Sequence, residues 1–417
     1  MTSRERVVKA LNHQAPDVLP VDFSASPVTG ISASLIYKLR EKLELEKRPI
    51  KIMEPYQMLG EIDDELLKYI PVDVVSMPSR TNMFGISNTD WKQWQMFDGT
   101  PVLVPGGLNT EPDNKGNIPV YPQGDRSVPA SAVMPKGGYY FDAIRRQQPI
   151  DDDNLNVEDN LEEFTLLTDA DLRFAESESD RLYKETDYAI MGNPGGTALG
   201  DIALVPGLSL KNPKGIRDVE EWYISTAIRR EYLQELFDRQ SDIALKNLEM
   251  YRQAVGDKVQ IIYMCGTDFG TQNAPFCSVQ TFSELYLPHY KKMNNWIHKN
   301  TSWKVFKHSC GAIEPLISSL IEAGFDILNP VQCSATGMNP TMLKEKYGDK
   351  VVFWGGGVDT QNTLPFGTPD EVRREVRERI EIFNKDGGYI FNPIHNTQAK
   401  VPVENFMAMI EALKEFR

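Results

Sequence analysis

Trp303-Lys304-Val305-Phe306-Lys307-His308-Ser309-Cys310-Gly311 is the stretch on which the reading of this chain turns. Trp303 to Lys307 is a short apolar run of strand length, and Gly311 opens a helix-like stretch that continues to Ile321. His308 and Cys310 therefore stand at a strand end just before a helix, where (β/α) barrels build their active sites. Neutral imidazole and thiolate are both good Zn²⁺ ligands. A third candidate, His395, ends another strand-like run, Gly388-Tyr389-Ile390-Phe391-Asn392. The chain has only five His and four Cys, so two such placements at strand ends are not expected by chance.

The same rhythm extends in both directions. Strand candidates at Val259 to Met264, Trp303 to Lys307, Asp326 to Leu328, Val351 to Trp354 and Tyr389 to Phe391 alternate with helical stretches. Those helices fall near Thr281 to His298, Ile313 to Ala323, Asn339 to Tyr347, Pro369 to Asn384 and Pro402 to Phe416, with a longer one from Asp218 to Val255. Val18 to Phe23, Val72 to Met77 and Tyr188 to Met191 complete a set of eight strands. Such alternation implies a parallel sheet with short connections. Eight strands fit a closed α/β fold, the (β/α)8 TIM barrel, better than an open doubly wound sheet. The first 70 residues read as a mostly helical extension around one strand. Gly355-Gly356-Gly357 is not followed by a dinucleotide-binding pattern.

Residues 88–150 change character. They are rich in Gly, Pro, Asn and Asp, with short apolar stretches at Val102 to Val104, Pro119 to Tyr121 and Gly138 to Phe141. These are hairpin and turn signals, so a β-rich insertion is expected here, either a flap over the barrel mouth or a passive surface loop. Asp151 to Glu163 reads as a solvated acidic linker. The whole chain, 1–417, is expected to be a single barrel domain carrying this insertion.

Composition narrows the function classes. Apolar and charged fractions of 41% and 25% provide for a large core and do not indicate disorder. A net charge of -14, spread along the chain, disfavours nucleic-acid binding, which needs a concentrated basic surface. No apolar run of about 18 residues argues for a membrane span. The N-terminus lacks the apolar core of a signal peptide, and four cysteines are too few for a disulfide scaffold. The expected compartment is the cytoplasm.

An ordered set of motifs resembles the uroporphyrinogen decarboxylase superfamily. At the start these are Glu5 to His13, Pro16-Asp17 and Pro20-Val21-Asp22. In the last third they are His308-Ser309-Cys310-Gly311, Gly324-Phe325-Asp326, Gly348-Asp349-Lys350, Gly355 to Asp359, Gly367 to Val372 and Pro402 to Asn405. The resemblance covers both ends well and the middle poorly. True uroporphyrinogen decarboxylases use no metal and hold their substrate with an Arg-rich N-terminal segment. Here Val21-Asp22-Phe23-Ser24-Ala25-Ser26 stands in that place, without an arginine. The chain is more similar to the corrinoid-dependent methyltransferase branch, whose thiol-methylating members carry a His-x-Cys pair and a distant Cys on zinc. His308 and Cys310 match the pair, while Ile394-His395-Asn396 stands where that branch has Gly-Cys.

The resemblance implies zinc held by His308 and Cys310; His395, at the distant position, is a candidate metal ligand or substrate-facing base, and Cys333, after the run Asp326 to Gln332, a candidate fourth ligand or neighbour. It also implies a cobalamin (corrinoid) cofactor on a partner protein, and it admits a homodimer. The reactants would be a small methylated compound or a thiol. Asp268, Gln272 and Asp359, all near strand ends, are candidates for substrate or ligand contacts. Cys265, Cys277, His13, His289 and His298 are assigned to packing or structure. Two other classes stand beside this one: a cofactor-independent decarboxylase of a tetrapyrrole-like or other carboxylated substrate, and a non-catalytic binding protein. A decarboxylase would need a cationic clamp, and only Arg80 lies near an expected strand end.

Overall fold

The computed structural model describes residues 1–417. Seven strands form one parallel sheet whose spatial order is their order along the chain: Val74–Ser76, Ala189–Gly192, Ile261–Cys265, Lys304–His308, Ile327–Asn329, Val352–Trp354 and Tyr389–Ile390. From Ile261–Cys265 onward every strand is followed by helix, ending with Val403–Lys414. The eighth stave is residues 18–23. Val21 bridges in parallel to Phe391 on one side, and its carbonyl accepts the Asp73 amide on the other. Pro20 has no N–H to give, so this stave makes a bridge rather than a regular strand, with the Pro20 carbonyl accepting from Phe391 at 2.9 Å. The fold is an α/β barrel of the TIM type.

A buried carboxylate holds the closing seam. Asp73 accepts from the Val21 amide at 2.9 Å, the Ser3 hydroxyl at 2.7 Å, Arg6 at 2.7 Å and Arg417 at 2.5 Å. It thereby ties the first helix, the first stave and the last residue to one point. Inside the barrel, Val74, Ala189, Met191, Ile261, Phe306, Ile327, Val352, Trp354 and Ile390 pack as one apolar cluster. Val7, Ala10 and Leu11 of helix Ser3–Leu11 belong to that cluster. The amphipathic N-terminal helix thus stops the lumen at one end and leaves the C-terminal mouth for chemistry.

Elsewhere the structure departs from the expected element bounds. The N-terminal extension contains strands Ile50–Glu54 and Leu59–Gly60, which join Lys92–Gln95 and Pro101–Val104 in a four-stranded sheet. A second small sheet is built from Ile118–Val120, Ala132–Met134 and Asp142–Ala143, so the insertion is β-rich. Residues 151–163 are not all solvated linker, because helix Val157–Leu161 buries Val157 and Leu161. The long helix expected to end at Val255 breaks at Arg229 into Val219–Ile228 and Arg230–Val255. Its neighbour breaks at Tyr286, where Pro288 starts a new helix without needing the N–H it lacks. No helix is long and apolar enough to cross a membrane.

Candidate metal centre

His308 is the last residue of strand Lys304–His308, and its register partner is Asn329. Paired residues of neighbouring parallel strands face the same side, so their side chains meet at the barrel mouth. His308 Nδ1 lies 2.5 Å from Asn329 Oδ1, and Asn329 Nδ2 donates to the Trp354 carbonyl at 2.9 Å. The second bond fixes the amide orientation and so assigns the proton of His308 to Nδ1. Nε2 is left with a free lone pair, the arrangement a metal-binding histidine needs. That nitrogen lies 3.4 Å from Cys310 Sγ. His395, beyond the last barrel strand, brings its ring to 5.2 Å from that of His308, at 72°. Donor atoms of His308, Cys310 and His395 lie within 4.8 Å of one another.

These residues suit a zinc ion. Tetrahedral bonds of about 2.3 Å to sulfur and 2.0–2.1 Å to nitrogen place the two donors roughly 3.6 Å apart. The His308–Cys310 spacing of 3.4 Å already fits. Burial pushes the His308 imidazole down to about 4, and burial with the neighbouring His308 charge pushes His395 down to about 4. Both rings are therefore neutral at pH 7, the ligand form. Burial, reinforced by Asp268, raises the Cys310 thiol well above its ordinary value. A nearby cation would reverse that by favouring the thiolate.

His395 is held differently. It adopts φ 75, a left-handed conformation uncommon for a residue with a side chain. Asn396 clamps that turn by accepting from the Gly30 amide at 2.6 Å and donating to the Pro27 carbonyl and to Gln57. His395 Nδ1 accepts the Asn396 amide at 2.8 Å, which leaves the ring proton on Nε2. Metal binding at Nε2 requires that this bond be given up, so His395 is the weakest of the three donors.

The other candidate residues divide. Asp268 reaches the cluster: its Oδ1 accepts from the Cys310 amide at 2.6 Å and lies 3.7 Å from His308 Nε2. Burial raises its pKa, opposed by the Cys310 amide. Gln272 instead clasps loops, donating to the Ser334 carbonyl at 2.6 Å and accepting from Gln332 at 2.9 Å. Asp359 caps its own turn through Gln361 and Asn362. Cys333 is not among the three clustered donors; its Sγ lies 3.2 Å from the Val331 carbonyl and beside Gly356. Arg80 pairs with Asp171 at 2.8 Å.

Three supporting groups escaped the sequence reading. Lys307, fully buried, donates to the Thr267 and His308 carbonyls at 2.5 Å each, drawing the Asp268 loop onto the strand end. Gly311 is needed because a Cβ there would sit 2.3 Å from the Gly270 carbonyl oxygen, where the same loop crosses. The third is Asp22, fully buried beneath the mouth, which accepts the Trp354 indole N–H at 3.0 Å and the amides of Ser24 and Ala25 at 2.8 Å. A lysine in a strand, a glycine after a cysteine and an acid after a Pro-Val carry no sequence signal for these roles.

Asp22 gives a testable pH dependence. Burial pushes its carboxyl up to about 6, above an unfolded value of about 4. The folded state binds this proton more tightly, so the associated stability is full below pH 4 and is lost as pH rises through 6. The loss should be on the order of 2–3 kcal/mol. Urea denaturation between pH 4 and 7.5 should show this slope in the wild type and a flatter profile in Asp22→Asn. Equal slopes in both would assign the dependence to other groups.

Comparison with known proteins bears on the family and the fold. Residues 211–416 match the family model described as uroporphyrinogen decarboxylase (URO-D). Uroporphyrinogen decarboxylase of Psychromonas ingrahamii is 31% identical over 87 residues, 20% of this chain and 24% of that protein. The enzyme of Pseudoalteromonas translucida is 33% identical over 88 residues, with the same coverage. The aligned part thus spans about a quarter of these relatives' length. A methyltransferase from Methanosarcina mazei shares the fold, with a TM-score of 0.58 at 14% identity, over 100% of this chain and 99% of that one. Residues 211–416, which contain His308, Cys310 and His395, match the uroporphyrinogen decarboxylase family, and through them the chain is similar to that superfamily.

Proposed function

We propose that this chain is a zinc-dependent methyltransferase that moves a methyl group between a small methylated compound, or a thiol, and a corrinoid carried on a partner protein. The observation that carries the reading is the convergence of His308, Cys310 and His395 at the C-terminal mouth of the barrel. The overall likeness to a methyltransferase from Methanosarcina mazei supports it. Bound zinc would supply a Lewis acid at the heteroatom that loses or gains the methyl group.

The chain's own residues do the rest. Asn329, fixed by Trp354, holds His308 in the tautomer with Nε2 free. Lys307 sets the loop that carries Asp268, and Asp268 anchors the Cys310 amide. Methyl transfer is an in-line displacement, so positioning and charge stabilisation are the work required of the protein. With a cobalt(I) corrinoid as the methyl acceptor, the partner protein would supply the nucleophile, and no activated Ser or Cys of this chain would be needed.

Elemental analysis of protein purified without chelators, paired with an assay of methyl transfer from free methylcobalamin to simple thiols, tests this reading. Near-stoichiometric zinc and measurable transfer are expected. His395→Ala is expected to keep zinc at reduced affinity. Wild type that neither retains nor takes up zinc would end the zinc mechanism.

A further inference from the structure

Tyr263 is the lumen residue that this chemistry leaves unused. It lies in strand Ile261–Cys265 with Phe306 as its register partner, and the two rings stack at 5.6 Å and 28°. Phe306 belongs to the barrel-interior cluster, and Tyr263 packs against it. Tyr263 therefore points into the lumen, on the face that carries His308 two residues beyond Phe306. Its hydroxyl rises toward the mouth: a Cβ on Gly266 would stand 2.7 Å from Tyr263 Oη and 3.0 Å from Asp201 Oδ2. Gly266 leaves that space to the hydroxyl and the carboxylate.

The polar groups around it are engaged. Asp201 accepts from the amides of Gly266 and Ala203, both at 3.0 Å. Asp268 holds the Cys310 amide, Lys307 holds two carbonyls and Ser309 accepts from the Phe269 amide. Asn329 is shared between His308 and Trp354. The Tyr263 hydroxyl makes no hydrogen bond within the chain. A half-buried phenol normally finds a partner, and here that partner must come through the mouth. Burial, with Asp201 and then Cys265, Asp268 and Cys310, raises its pKa well above the ordinary value. It stays protonated and is a donor.

We propose that the Tyr263 hydroxyl donates a hydrogen bond to the substrate atom that carries the methyl group. This rests on the methyltransferase reading and deepens it. Such a donor needs a lone pair on its partner. An ether oxygen offers one and gains charge as the C–O bond breaks, whereas a quaternary ammonium nitrogen offers none. Were the acceptor a cobalt(I) corrinoid carried on a partner, the methyl carbon would pass to it as the C–O bond breaks. The C–O electron pair stays on oxygen, and the resulting phenolate or alkoxide is held by the Tyr263 hydrogen bond until it takes a proton from water.

The test compares wild type with Tyr263→Phe, each loaded to equal zinc content, through two readouts. Calorimetric binding of phenol, a product mimic, is expected to weaken about tenfold in the variant. Methyl transfer from 4-substituted anisoles to chemically reduced cobalamin is expected to lose about 100-fold in kcat with little change in KM. The loss should grow as the leaving phenol becomes less acidic. Unchanged phenol affinity and unchanged rates in Tyr263→Phe would overturn the proposal while leaving the methyltransferase reading in place. So would a wild type that prefers tetramethylammonium to anisoles. A zinc-loaded wild type that transfers methyl from no donor would overturn both together.

Discussion

His308→Ala and Cys310→Ser are each expected to strip the metal and lower methyl transfer by about a thousandfold or more. The two residues form the pair that already has ligand spacing, 3.4 Å from Nε2 to Sγ. His308 is also held in its ligating tautomer by two successive hydrogen bonds, which His395 is not. Serine does not replace a thiolate, because its hydroxyl stays protonated and binds zinc poorly. Zinc per chain after dialysis, measured beside the far-ultraviolet circular dichroism of each variant, checks this. Both variants should keep their secondary structure and lose the metal. If either retains zinc at the wild-type level, that residue is not a ligand and the cluster has been misassigned.

Asp73→Ala is expected to cost about 3–5 kcal/mol. The side chain is fully buried, and removing it leaves the mostly buried guanidinium groups of Arg6 and Arg417 without their shared partner. It also frees the Val21 amide, leaving the eighth stave only the bond from the Asp73 amide to the Val21 carbonyl on that side. Deleting Arg417 alone should cost much less, since Arg6 still neutralises the carboxylate. Equilibrium unfolding in urea separates the two cases. A loss below about 1 kcal/mol for Asp73→Ala would mean that the seam is held by apolar packing alone.

Much of this architecture was legible in the residues. The alternation of short apolar runs with helical stretches from Val259 onward follows from two periodicities that the chain states locally, and the barrel strands appear at those places. The N-terminal third was less legible. Ile50–Glu54 and Leu59–Gly60 pair with each other, but the former also pairs in parallel with Pro101–Val104, far along the chain, and nothing local announces it. Residues 18–23 have the apolar pattern of a strand, yet Pro20 reduces them to a bridge whose value lies in closing the ring.

By itself the sequence determined the barrel rhythm, the β-rich insertion and the His-x-Cys pair at a strand end, because each is written in neighbouring residues. Only the tertiary structure decided which distant groups serve that pair. It brought His395 to His308, set the His308 tautomer through Asn329 and Trp354, and placed Asp22 against Trp354 across 332 residues of chain. It also turned Cys333 toward the Val331 carbonyl and left the Tyr263 hydroxyl without a partner inside the chain. Barrel closure is the physical reason: residues far apart in sequence become neighbours around one mouth, and burial there fixes their protonation and hydrogen bonding.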